Sequence, residues 1–453
     1  MRCLTPQIIA GITGGVYIGG ESGLGVRVAG AVRDNRDVEP GNLFVCIQGG
    51  HVDGHSFANS ALELGAACCL AERVIPDAKG PYVLVGSTLD AIKSLGAYYR
   101  RLFDIPVIGI TGSVGKTTVK ELIAAVLGTK LHVLKTPMNL NNELGVPLTL
   151  LSLNEQHEAA VIEMGISEFG EMGRLARMVK PDIFVVTKIG YSHTDELGDL
   201  NGVLQAKSEA FAYMDPGGVA VLNGDDELIW GYDPGMRKIT FGFDERNDFR
   251  AENVLMEGTG AVVCDITCNE ESFPVRIPAY GSHLASLAPA AAIVGQLLGL
   301  NNDEIKQGLL SYVPVGGRAN ATDTGTITLI DDCYNANPHS VKAALTSLSA
   351  LPGRRVAILG DMLGLGEQSG KLHCEIGVFA ASISIDSFIC CGENAALIYD
   401  SYRSAGGGPA YYYPAKAELI AALPGLIKKG DFVLVKASHY IRFEEILPYL
   451  KKL

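Results

Sequence analysis

"GITGSVGKTTVK", residues 109–120, decides how the chain is read. A phosphate-binding loop of the form G-x-x-x-x-G-K-[ST] would carry glycine at 110; this chain has Ile110, and Gly109 stands one residue early. The local pattern nonetheless specifies a site. Before it, "IPVIGI" is a short β-rich apolar run, and after it Val119, Leu122, Ile123, Val126 and Leu127 recur at helical spacing. The glycines therefore join a buried strand to an amphipathic helix. Amides in the first turn of such a helix have no internal partner and sit at its positive end, where they cradle phosphate oxygens. Lys116 adds a full charge and Thr117 a hydroxyl suited to Mg²⁺.

Composition narrows the function. At 453 residues, nearly half of them hydrophobic, the chain has room for about three domains with large cores. Lys and Arg total 37 against 50 Asp and Glu, a net charge of −13, which argues against a general nucleic-acid binder. The ten cysteines form no C-x-x-C pair, so neither a zinc ribbon nor a disulfide framework is indicated, and a reducing cytosol fits. The apolar start is broken by Pro6 and Gln7; Thr5-Pro6 reads as a cap and first-turn proline of a short helix rather than a signal peptide. No apolar run reaches the roughly 18 residues of a membrane span.

The texture of the chain changes twice. Residues 1–104 mix short strands such as "NLFVCI" and "PYVLVG" with alanine-rich helical stretches. From 105 to 314, "VIGIT", "AAVIEMG", "IFVVTKIG" and "VAVLN" alternate with helices, the pattern of a mostly parallel sheet. "YVPVGGRAN" marks a second boundary. From 315 to 453, "TLIDD", "RRVAILGD", "SFICCG" and "FVLVKA" predict a doubly wound, Rossmann-like domain. The fold expected is α/β in three domains: a small N-terminal α/β domain, a central P-loop domain and a C-terminal Rossmann-like domain.

Ligands in such sheets collect at the carboxyl ends of strands. Glu163 follows "AAVI" and His193 closes the loop after "FVVTKIG"; each reads either as a Mg²⁺ ligand or its neighbour, or as an ordinary capping or loop residue. Lys207, in "LQAKSEAF", reads from the residues alone as a solvated helix lysine beside Glu209.

As a whole the chain resembles the Mur ligases, which add amino acids to the peptidoglycan precursor. "TGSVGKTTVKE" is similar to their variant loop T-G-x-x-G-K-T, in which the early glycine is normal. "DNRDVEPGNLFV", "DGHSF", "NLNNELGVPLTL", "KSEAF", "LNGDDE", "IDDCYNANPHS" and "LGDMLGLGE" carry the resemblance across all three domains. "YNANP" with "GDM" resembles the members that join D-alanyl-D-alanine to UDP-N-acetylmuramoyl-tripeptide.

The resemblance implies an ATP-dependent amide ligase, cytoplasmic and monomeric, that works through an acyl phosphate and releases ADP and phosphate. It implies nucleotide contacts from Thr111, Gly112, Ser113, Val114, Gly115, Lys116, Thr117 and Thr118, with Leu287, Arg318 and Asp332 completing the pocket. Glu163 with Thr117 is expected to hold one Mg²⁺, and His193 with a carbamoylated Lys207 a second; the modification turns a cation into a hard oxygen ligand. Lys116, Glu163, His193, Lys207 and Arg318 form the expected catalytic set. Substrate contacts are expected from Asn35 and Arg36 on the UDP side and from Asn141, Asn142, Tyr334, Asn335 and Asn337.

The chain departs from the family pattern in places. "HLASL" puts Leu284 and Leu287 where the family has asparagines beside the nucleotide, which predicts weakened discrimination among bases. "ASH" at 437–439 stands where the family reads "GSR", Asn35 where it has Ser, and Gly364 where Glu is frequent. A sibling ligase for another amino acid would lack "YNANP" and "GDM", a GTPase would show N-K-x-D, and a silent precursor-binding homologue would have no use for Lys116, Thr117, Glu163, His193 and Lys207 together.

Overall fold

The computed structural model describes residues 1–50 and 52–453, arranged as three α/β sheets. The N-terminal sheet has five strands in the order Val16–Ile18, Tyr82–Leu84, Cys68–Ala71, Asn42–Val45 and Gly30–Val32, parallel except for the first pair. Ahead of it lies the short helix Pro6–Thr13, with Pro6 in its first turn and the Thr5 hydroxyl accepting from the Ile8 amide at 3.3 Å.

The middle sheet has nine strands. Its parallel part runs Val133–Lys135, Ala159–Glu163, Val107–Thr111, Ile183–Val186, Val219–Asn223 and Arg237–Gly242. The four inner strands, from Ala159–Glu163 to Val219–Asn223, are buried on both faces and read as nearly continuous apolar runs, as parallel strands do. Phe249–Glu257 then joins in parallel, and Ala261–Cys268 and Glu271–Ile277 extend the sheet as antiparallel hairpins. Glu271–Ile277 alternates exposed and buried residues because only one of its faces is covered.

The loop helix Lys116–Leu127 buries Val119, Leu122, Ile123, Val126 and Leu127 on the sheet. Helices His283–Leu297 and Asn302–Leu310 close over it. At Gly308 a Cβ would fall 2.3 Å from Val126 Cα, so only glycine permits this helix approach.

The C-terminal sheet has six strands in the order Asn320–Asp323, Thr328–Asp331, Phe432–Lys436, Arg355–Gly360, Ser387–Cys391 and Ala410–Tyr413, all parallel after the first hairpin. Helices cover both faces, giving two separate apolar cores.

The first two sheets share a core. Helix Thr88–Arg100 packs on the middle domain's helices, and Leu95, Tyr99 and Phe103 join Leu151, Met178 and Phe184 in one apolar cluster. Tyr99 Oη donates to Leu153 O at 3.0 Å, and Arg100 Nε donates to Val179 O at 3.2 Å. The junction is polar-satisfied as well as apolar.

Candidate active site

Strands Val107–Thr111, Ala159–Glu163 and Ile183–Val186 are parallel neighbours, so their carboxyl ends open on one edge. Residues 112–115 bridge from the central one to the helix. Gly112 has φ +146°, and a Cβ there would fall 2.0 Å from Thr187 Oγ1; Gly115 has φ +85°. Both positions require glycine. Ser113 donates its hydroxyl to Gly190 O at 2.9 Å, and its amide to Lys188 O at 2.7 Å, which ties the loop to the next strand's exit. Lys116 Nζ donates to Gly112 O at 2.6 Å and lies over the loop. Desolvation draws its pKa below the ordinary lysine value; Glu163 opposes that shift and Arg318 adds to it.

Glu163 is 1 % exposed. Thr117 Oγ1 donates to its Oε2 and Asn141 Nδ2 to its Oε1, each at 2.8 Å, and its own amide donates to Thr136 Oγ1 at 2.9 Å. Lys120 stands behind it, with Nζ 3.9 Å from Oε2 and 2.8 Å from Thr136 O. The sequence reading missed Lys120. Its spacing, one helical turn beyond Lys116, was the available signal.

His193 has φ +55°, an uncommon conformation for a residue other than glycine, at the start of the short helix Thr194–Leu197. Its imidazole is held below the usual pKa by desolvation, then by the charges of Lys207 and Lys116. Lys207 sits in the last turn of helix Leu200–Ser208 and is 2 % exposed, which overturns the solvated reading. Glu209 does not pair with it: that carboxylate accepts the amides of Gly170 and Gly173 at 2.8 and 3.0 Å. Burial first, and Lys116 second, push the Lys207 amine well below its ordinary pKa, with Glu171 opposing. Lys116, His193 and Lys207 thus face one another beside the Glu163 pocket.

The C-terminal domain supplies the opposite wall. Arg318 places its guanidinium carbon 3.9 Å from the centroid of the Tyr334 ring, with its Nε buried and unpartnered among the described residues. Asp332 Oδ2 accepts from Lys436 Nζ at 2.6 Å and its Oδ1 from the Ala319 amide at 3.2 Å. Facing Asp332 across the seam, His283 Nδ1 and Tyr280 Oη are also buried and without partners among the described residues. These two had no place in the sequence reading. Leu284 and Leu287 are buried, and the Leu287 methyl lies 3.4 Å from where a Gly115 Cβ would be, so it abuts the loop. Thr111 is buried, donating to Met164 O at 2.8 Å. Val114 and Thr118 are half-buried in the loop and first turn.

Other expected contacts are differently engaged. Asn142 Oδ1 accepts from the amides of Leu144 and Gly145, at the start of helix Gly145–Leu150. Asn337 caps helix Pro338–Ser349, and Asn335 is exposed, its carbonyl accepting from Lys436 at 2.9 Å. Asn35 and Arg36 form a turn beyond the edge strand Gly30–Val32, where Arg36 Nε donates to Asp34 at 2.9 Å.

The Mg²⁺ expectation meets a suitable donor set. The Thr117 hydroxyl and Glu163 carboxylate are adjacent hard oxygens. Beside His193 the buried Thr194 Oγ1 is unpartnered among the described residues, and the neighbouring amines of Lys116 and Lys207 bring no negative charge to the cleft. Among the described residues no group of three or more His, Cys, Asp or Glu converges.

Models of known families match all three parts: the Mur ligase family catalytic domain at residues 28–97, the Mur ligase middle domain at 110–295 and the Mur ligase glutamate ligase domain at 317–439. A relative from Bacillus subtilis (strain 168), a UDP-N-acetylmuramoyl-tripeptide--D-alanyl-D-alanine ligase, is 36 % identical over 93 % of this chain and 92 % of its own. The chain belongs to the Mur ligase family. A relative of the same description from Escherichia coli (strain K12) is 34 % identical over 95 % of both chains. In three dimensions this Mur ligase matches MurF from Acinetobacter baumannii with a TM-score of 0.90, 29 % identity and 99 % coverage of both chains. It matches MurF from Thermotoga maritima, solved in complex with ADP, at 0.82 and 29 % identity over 94 % of this chain and 97 % of that one.

Proposed function

We infer that this Mur ligase joins D-alanyl-D-alanine to UDP-N-acetylmuramoyl-tripeptide at the expense of ATP, a step of peptidoglycan precursor synthesis. The observation that carries the reading is the cluster of Lys116, Glu163, His193 and Lys207 at one sheet edge with Arg318 opposite, in a chain whose full-length relatives carry that activity. Domain limits at 104/105 and 314/315 assign UDP binding to the first part, ATP to the second and the wall over the cleft to the third.

A peptide carboxylate is a poor acyl donor. Its oxygen attacks the γ-phosphorus, the bond to the β-phosphate oxygen breaks, and ADP leaves. The amine of D-alanyl-D-alanine then attacks the acyl carbon, loses a proton, and expels phosphate as the amide forms. Three anions must be brought together, so catalysis is positioning and charge neutralisation. The loop amides and Lys116 hold the phosphates, and Arg318 reaches the transferring group from across the seam. Asp332 meets the ribose, and Asn35 and Arg36 meet the UDP moiety. Asn141 orients Glu163, while Tyr334 and the turn of Asn335 and Asn337 border the incoming dipeptide.

Thr117 with Glu163, and His193 with Lys207, are the pairs that would hold two Mg²⁺ ions. Bound there, the metal supplies electrophilic charge to the phosphate oxygens. Burial eases loss of the Lys207 proton, and the amine so freed is a nucleophile for carbon dioxide; a carbamate forms with loss of one further proton, and its oxygens would replace the missing ligand charge. The protein acts as a cytoplasmic monomer, where ATP and the nucleotide precursor are found; no helix among the described residues is long and apolar enough to cross a membrane.

ADP release with UDP-N-acetylmuramoyl-tripeptide tests the reading. Turnover is expected with D-alanyl-D-alanine and not with single amino acids. Turnover with one amino acid instead would make this a sibling ligase, and none with any acceptor would make it a precursor-binding homologue.

A further inference from the structure

The Arg318 guanidinium does not stand alone. It stands over the ring of Tyr334, 3.9 Å from its centroid, and that ring is stacked in turn with His439, the centroids 5.4 Å apart and the planes 28° from parallel. Tyr334 is fixed against the Gly316-Gly317-Arg318 turn by its amide, which donates to Gly317 O at 2.9 Å. Gly317 has φ +72°, and a Cβ there would come within 3.2 Å of Tyr334 Cβ, so ring and turn are in close contact. His439 follows the central strand Phe432–Lys436 and is itself exposed. No side chain among the described residues hydrogen-bonds Arg318 Nε, which leaves the Tyr334 ring as the contact that holds the guanidinium.

The geometry points to His439 as a positioning residue for Arg318, acting through the Tyr334 ring. This rests on the reading of Arg318 as a catalytic cation. A guanidinium free to rotate about its side chain offers its donors to the transferring phosphate in only part of its conformations; a ring that is itself held by a stacked neighbour narrows them. His439 therefore contributes to turnover without touching substrate. Its effect falls on kcat and leaves the Michaelis constant for ATP in place, because the loop, Lys116 and Asp332 hold the nucleotide whichever way the guanidinium points.

The test is a set of purified full-length variants with thermal midpoints within a few degrees of the parent. His439→Ala is expected to lower kcat about three- to tenfold, the scale of one lost aromatic pair, at unchanged ATP Michaelis constant. His439→Phe, which restores the stack without a ring nitrogen, is expected to recover most of that loss. In an Arg318→Lys background, whose ammonium has no plane to align, His439→Ala is expected to change kcat by less than about twofold. Equal losses from His439→Ala in both backgrounds, or no recovery with phenylalanine, would overturn the inference. An Arg318→Ala variant with full activity would instead remove the reading of Arg318 itself. Should His439→Ala not fold, His439→Leu against His439→Phe asks the same question with a bulkier side chain, with the same loss and recovery expected.

Discussion

Lys116 is the one full charge the loop itself carries, and Lys207 is the buried amine opposite it. Lys116→Ala is expected to cut kcat at least about a hundredfold in a protein that still folds. Comparing ADP release with the far-ultraviolet spectrum checks both halves of that statement. Lys207→Ala is expected to be nearly inactive and partly restored by acetate, whose carboxylate replaces the lost oxygens; chloride at the same ionic strength should not help. The depressed pKa of Lys207 has a second consequence. Between its folded value and the ordinary lysine value the unfolded chain binds the extra proton, so stability rises with pH through that window. In bicarbonate-free buffer Lys207→Met should flatten this rise, and a midpoint-versus-pH series that keeps the parent's slope would contradict it. Residue type alone could not announce Lys207. In the sequence it is a helix lysine beside a glutamate, and only the fold shows that Glu209 turns away to cap Gly170 and Gly173 while the amine is sealed beside Lys116.

At the scale of elements, the strand, loop and helix of 107–127 were legible because periodicity, glycine spacing and an apolar face all agree there. The antiparallel hairpins of 249–277 were not. Their polar, alternating residues resemble surface loops unless the sheet edge they extend is already known. Gly112 lets the loop be tested directly. Gly112→Ala puts a methyl on Thr187 and a strained φ on alanine, so ATP affinity should fall more than about tenfold and stability by about 1–3 kcal/mol, read by calorimetry and urea unfolding. Helix His283–Leu297 gives the opposite kind of test. Leu287 abuts Gly115 from an apolar cluster, so Leu287→Asn should cost about 2–3 kcal/mol of stability. If its amide reaches the base edge, the preference for ATP over GTP should rise about tenfold or less, the worth of one neutral hydrogen bond. A lower stability with an unchanged ATP-to-GTP ratio would place base recognition on other residues.

Across the whole molecule, the charged groups come from two domains while the turn of Asn35 and Arg36, proposed to meet UDP, comes from a third. The C-terminal wall meets the middle domain through small residues: a Cβ at Gly190 would strike His339 at 2.9 Å, and one at Gly366 would reach Asp195 at 3.0 Å. A nucleotide gripped from both sides of that seam stabilises both domains together. A non-hydrolysable ATP analogue at a hundred times its dissociation constant should therefore add about 2.7 kcal/mol to their joint unfolding. Separate transitions, with only the middle domain responding, would show that the seam does not close on the nucleotide. The first domain behaves differently, because Tyr99 and Arg100 bind it to the middle domain through a common core. If the first domain anchors UDP as proposed, that anchor is mounted on the same block as Lys116, and the span between them would work as a ruler laid along the precursor. A tripeptide brings its carboxylate up to the phosphate; a UDP-muramoyl dipeptide, held by the same grip, stops one residue short. Such a shortened precursor should bind competitively with the tripeptide yet release no ADP, its length rather than its affinity deciding its fate.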